Sequence, residues 1–171
     1  MSGHILEKLF EHNNWANDKI IQACLGLSDE QLDAEPTSAT KGSIRRTLLH
    51  LVSGQRGYLR LLTLPVEERR TPLPDLTFGE LQGSASASGE ALLALARDEA
   101  RLSAMGRREE TEGWFVEPWV LLVQIINHAT EHREQIKSML TFLGVTPPSI
   151  DGWDCGEATG AYSANEKSDA E

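Results

Sequence analysis

The stretch Asn127-His128-Ala129-Thr130-Glu131-His132-Arg133-Glu134-Gln135 decides how this chain is read. It lies inside a helical pattern running from Pro118 to about Leu143. On that pattern Leu121, Ile125, His128, His132, Gln135, Met139 and Phe142 recur at steps of three and four, the seam of a helix packed in a bundle. Apolar residues hold both ends of the seam and two histidines hold its middle. Side chains four apart are neighbours on a helix, with roughly 5–6 Å between Cβ atoms. The two imidazoles therefore converge on one point inside the protein. A buried polar ring costs free energy unless it finds a partner. Separate hydrogen bonds would satisfy each ring; one metal ion satisfies both.

Outward from this helix, three more long helical patterns appear. The first runs from about Gly3 to Leu25, with Leu6, Leu9, Asn13, Ala16, Ile20 and Cys24 on one face. Asn13 interrupts that seam. It either sets register by pairing with another polar group or supports a neighbouring metal site. Ser28-Asp29-Glu30-Gln31 has capping-box spacing, with Leu27 and Leu32 as its hydrophobic staple. The second long helix starts from Ser43 as N-cap and runs to about Leu62, with Ile44, Leu48, Leu51, Gln55, Tyr58 and Leu62 as its stripe. His50 sits at the edge of this stripe. Gly54 and Gly57 follow one and two turns on, either for close packing or to leave room for a ligand beside His50. A Pro-rich connection, 64–76, leads to a second capping box at Thr77-Phe78-Gly79-Glu80. The third helix then runs to about Met105 through Leu81, Ala85, Ser88, Leu92, Leu95 and Leu102.

Gly106 to Glu117 reads as a loop. Pro118 suits the first position of the fourth helix, Gly144 suits its C-terminal cap, and Pro147-Pro148 stops it. Ile150 and Trp153 are placed to pack back on the bundle. From Gly156 the composition turns to Gly, Ala, Ser and acidic residues. The expected organisation is one domain over residues 1–155 and a flexible acidic tail over 156–171. Four long helices, no strand-like alternation and two long connections give an all-α fold, a four-helix bundle with a long crossover connection.

The totals limit the function classes. The chain of 171 residues has 40% hydrophobic and 25% charged residues, the balance of a globular domain. Its formal net charge of -10 argues against a nucleic-acid partner, which calls for a basic face. No apolar run reaches the length of a membrane span, and Met1-Ser2-Gly3-His4 lacks the order of a signal peptide. Cys24 and Cys155 read as free thiols of a cytoplasmic protein. There are 5 histidines. His4 reads as solvated, which leaves His12 and His50 as partners for the pair in the fourth helix. His50 lies mid-helix, where a bundle can bring it level with His128 and His132. It is the first choice for a third ligand and His12 the second. Three protein ligands with open positions is the pattern of a catalytic metal, and imidazole suits Zn, Ni, Cu or Fe. Gln135, one turn beyond His132, is placed to hydrogen-bond a ligand's free nitrogen. Glu131, Arg133 and Glu134 read as a solvated face or a salt-bridged contact. The zinc-protease helix shares the His-x-x-x-His spacing, but it needs a Glu where Ala129 stands.

These motifs resemble the DinB/YfiT-like superfamily of metal-binding four-helix bundles. The resemblance is carried by Leu9-Phe10-Glu11-His12-Asn13-Asn14-Trp15-Ala16-Asn17, by Thr47-Leu48-Leu49-His50-Leu51, by the stretch from Asn127 to Gln135, and by Gly144-Val145-Thr146-Pro147-Pro148. It implies a divalent metal ion (Zn, Ni, Fe or Mn, with Zn or Ni favoured) on His50, His128 and His132. Glu131 and Glu134 depart from the family's usual His and Gly at those positions. The resemblance also implies a homodimer and a stress-response setting. Its characterised members include thiol-dependent S-transferases and a mycothiol-dependent isomerase. The function so implied is a metal-dependent transferase joining a low-molecular-weight thiol to a small electrophile. The alternatives are a metal-dependent hydrolase and a non-enzymatic, metal-stabilised stress-response binding module.

Overall fold

The computed structural model describes residues 5–36, 41–110 and 113–163. Its elements are α1 (Ile5–Leu25), α2 (Asp29–Asp33), α3 (Ile44–Thr63), α4 (Val66–Arg69), α5 (Leu81–Arg97), α6 (Glu99–Ala104), β1 (Arg108–Glu109), β2 (Phe115–Val116), α7 (Pro118–Phe142) and α8 (Gly152–Ala158). The helix starts follow local chemistry. Ser28 and Gln31 cap each other at α2. Ser43 Oγ accepts from Arg46 N at α3, and Pro118 opens α7. Thr77 and Glu80 close a box on the 3-10 turn Phe78–Glu80 that leads into α5. Gly144, at φ +73°, takes the left-handed turn after α7.

α1 packs on α5 and α7, and α3 packs on the same two, so α1 and α3 are diagonal. Arg97 meets Glu7 and Asn14 meets Gly89, which sets α1 and α5 antiparallel. His50 stands beside His132, and Tyr58 beside Gln124, so α3 and α7 are antiparallel too. Gln55 bonds to Ala85 O while Leu62 and Leu92 share one cluster, so α3 and α5 run parallel. Parallel neighbours need a connection that returns along the bundle. Residues 64–80 are that crossover.

The core has two apolar halves. One is built on Ile20, Ile21, Leu48, Leu51, Ile136 and Leu140. The other is built on Phe10, Leu62, Leu92, Leu121 and Ile125. Between them lies a buried polar layer of Asn13, Asn17, Gln55, Ser88, His128, His132 and Arg133. Gln55 Nε2 donates to Ala85 O at 3.0 Å and Ser88 Oγ at 2.7 Å, while Asn17 Nδ2 donates to Gln55 Oε1 at 3.0 Å.

Several local expectations need correction. The third helix breaks at Asp98, whose carboxylate accepts from Arg101 N and starts α6. The loop before α7 contains a short hairpin, Arg108 opposite Val116 and Glu109 opposite Phe115. Phe10, not Leu9, holds the core end of α1, and Phe142 is 70% exposed. Ile150 packs inward, but Trp153 is 69% exposed and rests on Tyr162. α8 crosses the expected 155/156 boundary. Its N-terminus is closed by Asp151, which accepts from Trp153 N and Asp154 N. This box outweighs the glycine-rich composition. Residues 164–171 of the expected acidic tail, and His4, lie outside the described residues.

Candidate metal centre

The polar layer ends, on its α3–α7 side, in three imidazoles. His128 and His132 come from successive turns of α7, and His50 comes from the facing turn of α3. Ring centroids are 5.0 Å apart for His50–His128, 4.7 Å for His50–His132 and 4.4 Å for His128–His132. One nitrogen from each lies within 4.8 Å of the others, and His50 Nε2 is 3.1 Å from His128 Nε2. His128 is 9% exposed and His132 4%, whereas His50 is half-buried. The group therefore opens to solvent on one side. Among the described residues it is the one set of three or more His, Cys, Asp or Glu that converges closely enough to hold an ion.

Protonation states favour ligation. Burial first, then the neighbouring His132 and His50, push His128 down to about 4. Burial, His132 and the Lys41 ammonium lower His50 as well. Both rings are neutral at pH 7, and a neutral imidazole is the metal-binding form. His132 Nδ1 lies 2.9 Å from Gln135 Oε1. The amide oxygen can only accept, so the proton sits on Nδ1 and the lone pair on Nε2 is free. Gly54 completes the cradle. A Cβ there would stand 2.6 Å from His128 Cε1, closer than any side chain tolerates. Oriented, closely spaced nitrogens with one open side fit a divalent ion of the imidazole-preferring series.

The other sequence candidates separate. Gln135 is at the site, on His132. Asn13 is not: its Oδ1 accepts from Arg133 Nη1 at 2.8 Å, the register-setting role that a buried Asn offered, and its Nδ2 has no partner among the described residues. His12 is not there either. Its Nε2 lies 3.1 Å from Ile150 O, with Trp15 alongside, at the junction with α8. The reason is rotational. Neighbours on a helix stand about 100° apart, so Asn17 turns toward Gln55 of α3 while Asn13 meets Arg133 of α7 and His12 meets Ile150 before α8.

Two features escaped the sequence reading. Tyr58 sets its ring edge-on to His128 at 5.5 Å, and its hydroxyl is 3.3 Å from Gln124 Nε2. Arg133, read as part of a solvated face or a salt-bridged contact, is 3% exposed and meets the neighbouring helix through amides, not a carboxylate. It donates to Asn13 Oδ1, to Asn17 Oδ1 at 2.7 Å and to Thr130 Oγ1 at 3.0 Å. The available signal was the pair Asn13 and Asn17, one turn apart on a face that needed a donor.

A family model described as the DinB family matches residues 1–167. No curated protein matches the chain significantly. Among solved structures, a DinB-like protein from Bacillus cereus aligns with a TM-score of 0.62 at 18% identity, covering 85% of this chain and 95% of that one. That likeness is one of fold. No helix among the described residues is long and apolar enough to cross a membrane. Taken with the match along nearly its whole length, the bundle and its three-histidine group make this chain a member of the DinB family.

Proposed function

We propose that His50, His128 and His132 hold one divalent metal ion, Zn or Ni before Fe or Mn, and that the protein is a metal-dependent transferase acting on a small thiol and an electrophile. The observation that carries this reading is the open triad: three imidazole nitrogens converge with His50 half-exposed. Three protein ligands leave coordination positions for a reactant. A divalent ion so held supplies Lewis acidity and lowers the pKa of a thiol or water bound to it. The chain's own contributions are positional. Gln135 holds the proton on His132 Nδ1, Gly54 admits the His128 ring, and Tyr58 walls the α7 side.

A metal-stabilised binding module is the second reading. Its support is that the same triad ties α3 to α7 at mid-bundle. A homodimer, in the cytoplasm, fits either reading. Leu9, Trp119 and Val123 are exposed along α1 and α7 and form an apolar face that a second copy would cover.

Elemental analysis of untagged protein tests the first step. About one equivalent of metal, lost in His50→Ala and His132→Ala, is the expected result. The metal-loaded protein should then consume glutathione, bacillithiol or mycothiol with a model electrophile. Metal without thiol consumption, but with a large thermal stabilisation, would replace the transferase by the binding module. Clearance of ester or phosphate substrates in place of thiols would make the protein a hydrolase.

A further inference from the structure

The two glycines after His50 have different causes. Gly54 is required by contact with His128. Gly57 is not: a Cβ there would meet no atom within 4 Å. Glycine inside a helix is destabilising, and at Gly57 no packing contact explains it. What Gly57 borders is a cleft of about 360 Å³ that it forms with Arg60, Leu61, Arg69, Pro72, Leu73 and Glu110. Seven residues are close to two helical turns. Gly57 therefore stands on the same side of α3 as His50, about 10 Å along the axis. Gly57 adds no side chain to the side of α3 that runs from His50 to the cleft.

The charge of the cleft is built in. Arg60 Nη2 donates to Glu68 O at 2.8 Å and Thr71 O at 3.0 Å. Arg69 Nε donates to Leu64 O, and its Nη2 donates to Glu109 O. These bonds fix both guanidinium groups against the crossover and the hairpin. They leave Arg60 Nε and Nη1 and Arg69 Nη1 without a hydrogen-bond partner among the described residues. The lining holds two arginines and one carboxylate residue, Glu110, so the balance is cationic. Pre-fixed planar forks suit a carboxylate or a phosphate, and a net of one positive charge matches the single charge of a carboxylate.

We propose that this cleft is the subsite for a carboxylate-bearing part of the substrate whose reacting end lies at the histidine triad. Its role as a substrate subsite rests on the triad being the reaction centre; its binding of a carboxylate does not. The test is an NMR titration of the full chain with succinate and, separately, inorganic phosphate, with and without metal. Succinate should shift the Gly57 and Leu61 amides and the Arg60 Nε–H, saturably and in both metal states. Gly57→Phe should keep the metal stoichiometry and weaken succinate at least tenfold. Arg60→Gln provides the same test if the Phe variant does not fold, and Gly57→Ala should raise the Tm. His128→Ala should lose metal and keep the succinate response. No shift at these residues, or a shift that both variants leave unchanged, overturns the proposal. A phosphate response as large as that of succinate overturns the carboxylate assignment. Succinate binding in a protein that consumes no thiol would refute thiol transfer and leave the carboxylate site standing.

Discussion

Gln135 controls which nitrogen of His132 is free. Its oxygen, 2.9 Å from Nδ1, accepts the ring proton and turns the Nε2 lone pair toward His50 and His128. Removing that acceptor releases both the tautomer and the ring angle. Gln135→Leu should therefore bind metal about 10–100-fold more weakly with an unchanged helical spectrum; a competition titration with a chelating dye measures this. Unchanged affinity would mean that backbone position alone orients His132. Gly54→Ala tests the cradle from the other side. The change should gain about 1 kcal/mol of helix propensity, but its Cβ meets His128 at 2.6 Å. Metal affinity should fall while α3 stays helical. The triad was legible because a 3.6-residue period places His128 and His132 together and a bundle can set His50 opposite. Asn13 and His12 were harder. Their distance from the site depends on which way α1 is rotated, and Asn13, with its α7 partner, sets that rotation.

At the scale of the helices, Arg133 is the tie between α1 and α7. Burial pushes its guanidinium down to about 10, so it remains a cation at neutral pH with amide and hydroxyl oxygens around it. Dipolar acceptors replace a carboxylate, which avoids burying a second charge. Arg133→Leu leaves Asn13 Oδ1 and Asn17 Oδ1 buried without their donor. At about 1–3 kcal/mol per orphaned group, the variant should lose about 2–6 kcal/mol in urea denaturation. Arg133→Lys should recover only part, because one ammonium cannot reproduce the planar fork that spans α1 and Thr130. A loss under 1 kcal/mol for the Leu variant would show that the apolar halves alone hold α1. The four long helices could be read from their stripes because each buries one face. The break at Asp98, the hairpin and α8 could not. They are short and set by single caps or a few backbone bonds, which leave no periodic signal.

At the scale of the molecule, a core of two apolar halves around a polar layer makes stability depend on protons and metal together. Unfolded, His128 titrates near 6.5; folded, it titrates at about 4. Between these values the unfolded chain binds the proton and the folded chain does not, so the metal-free protein loses stability as pH falls from 6.5 and stops losing it on this account below 4. The difference corresponds to about 3 kcal/mol. Carboxylates add to the fall at the acid end, because Glu11, held low by Lys8, and Glu80, held low by Thr77, also release stability on protonation. The histidine share is isolated by comparison with His128→Asn in chelator, which should show a shallower decline between pH 6.5 and 5. Adding metal should raise the Tm of the natural chain at pH 7.5, by mass action on the folded state. That gain should shrink toward pH 5 as protons compete for the imidazoles, and the Asn variant should show little of it. Equal acid slopes in the two proteins, with equal metal response, would mean that the three rings are hydrogen-bonded structural histidines and that the bundle needs no ion.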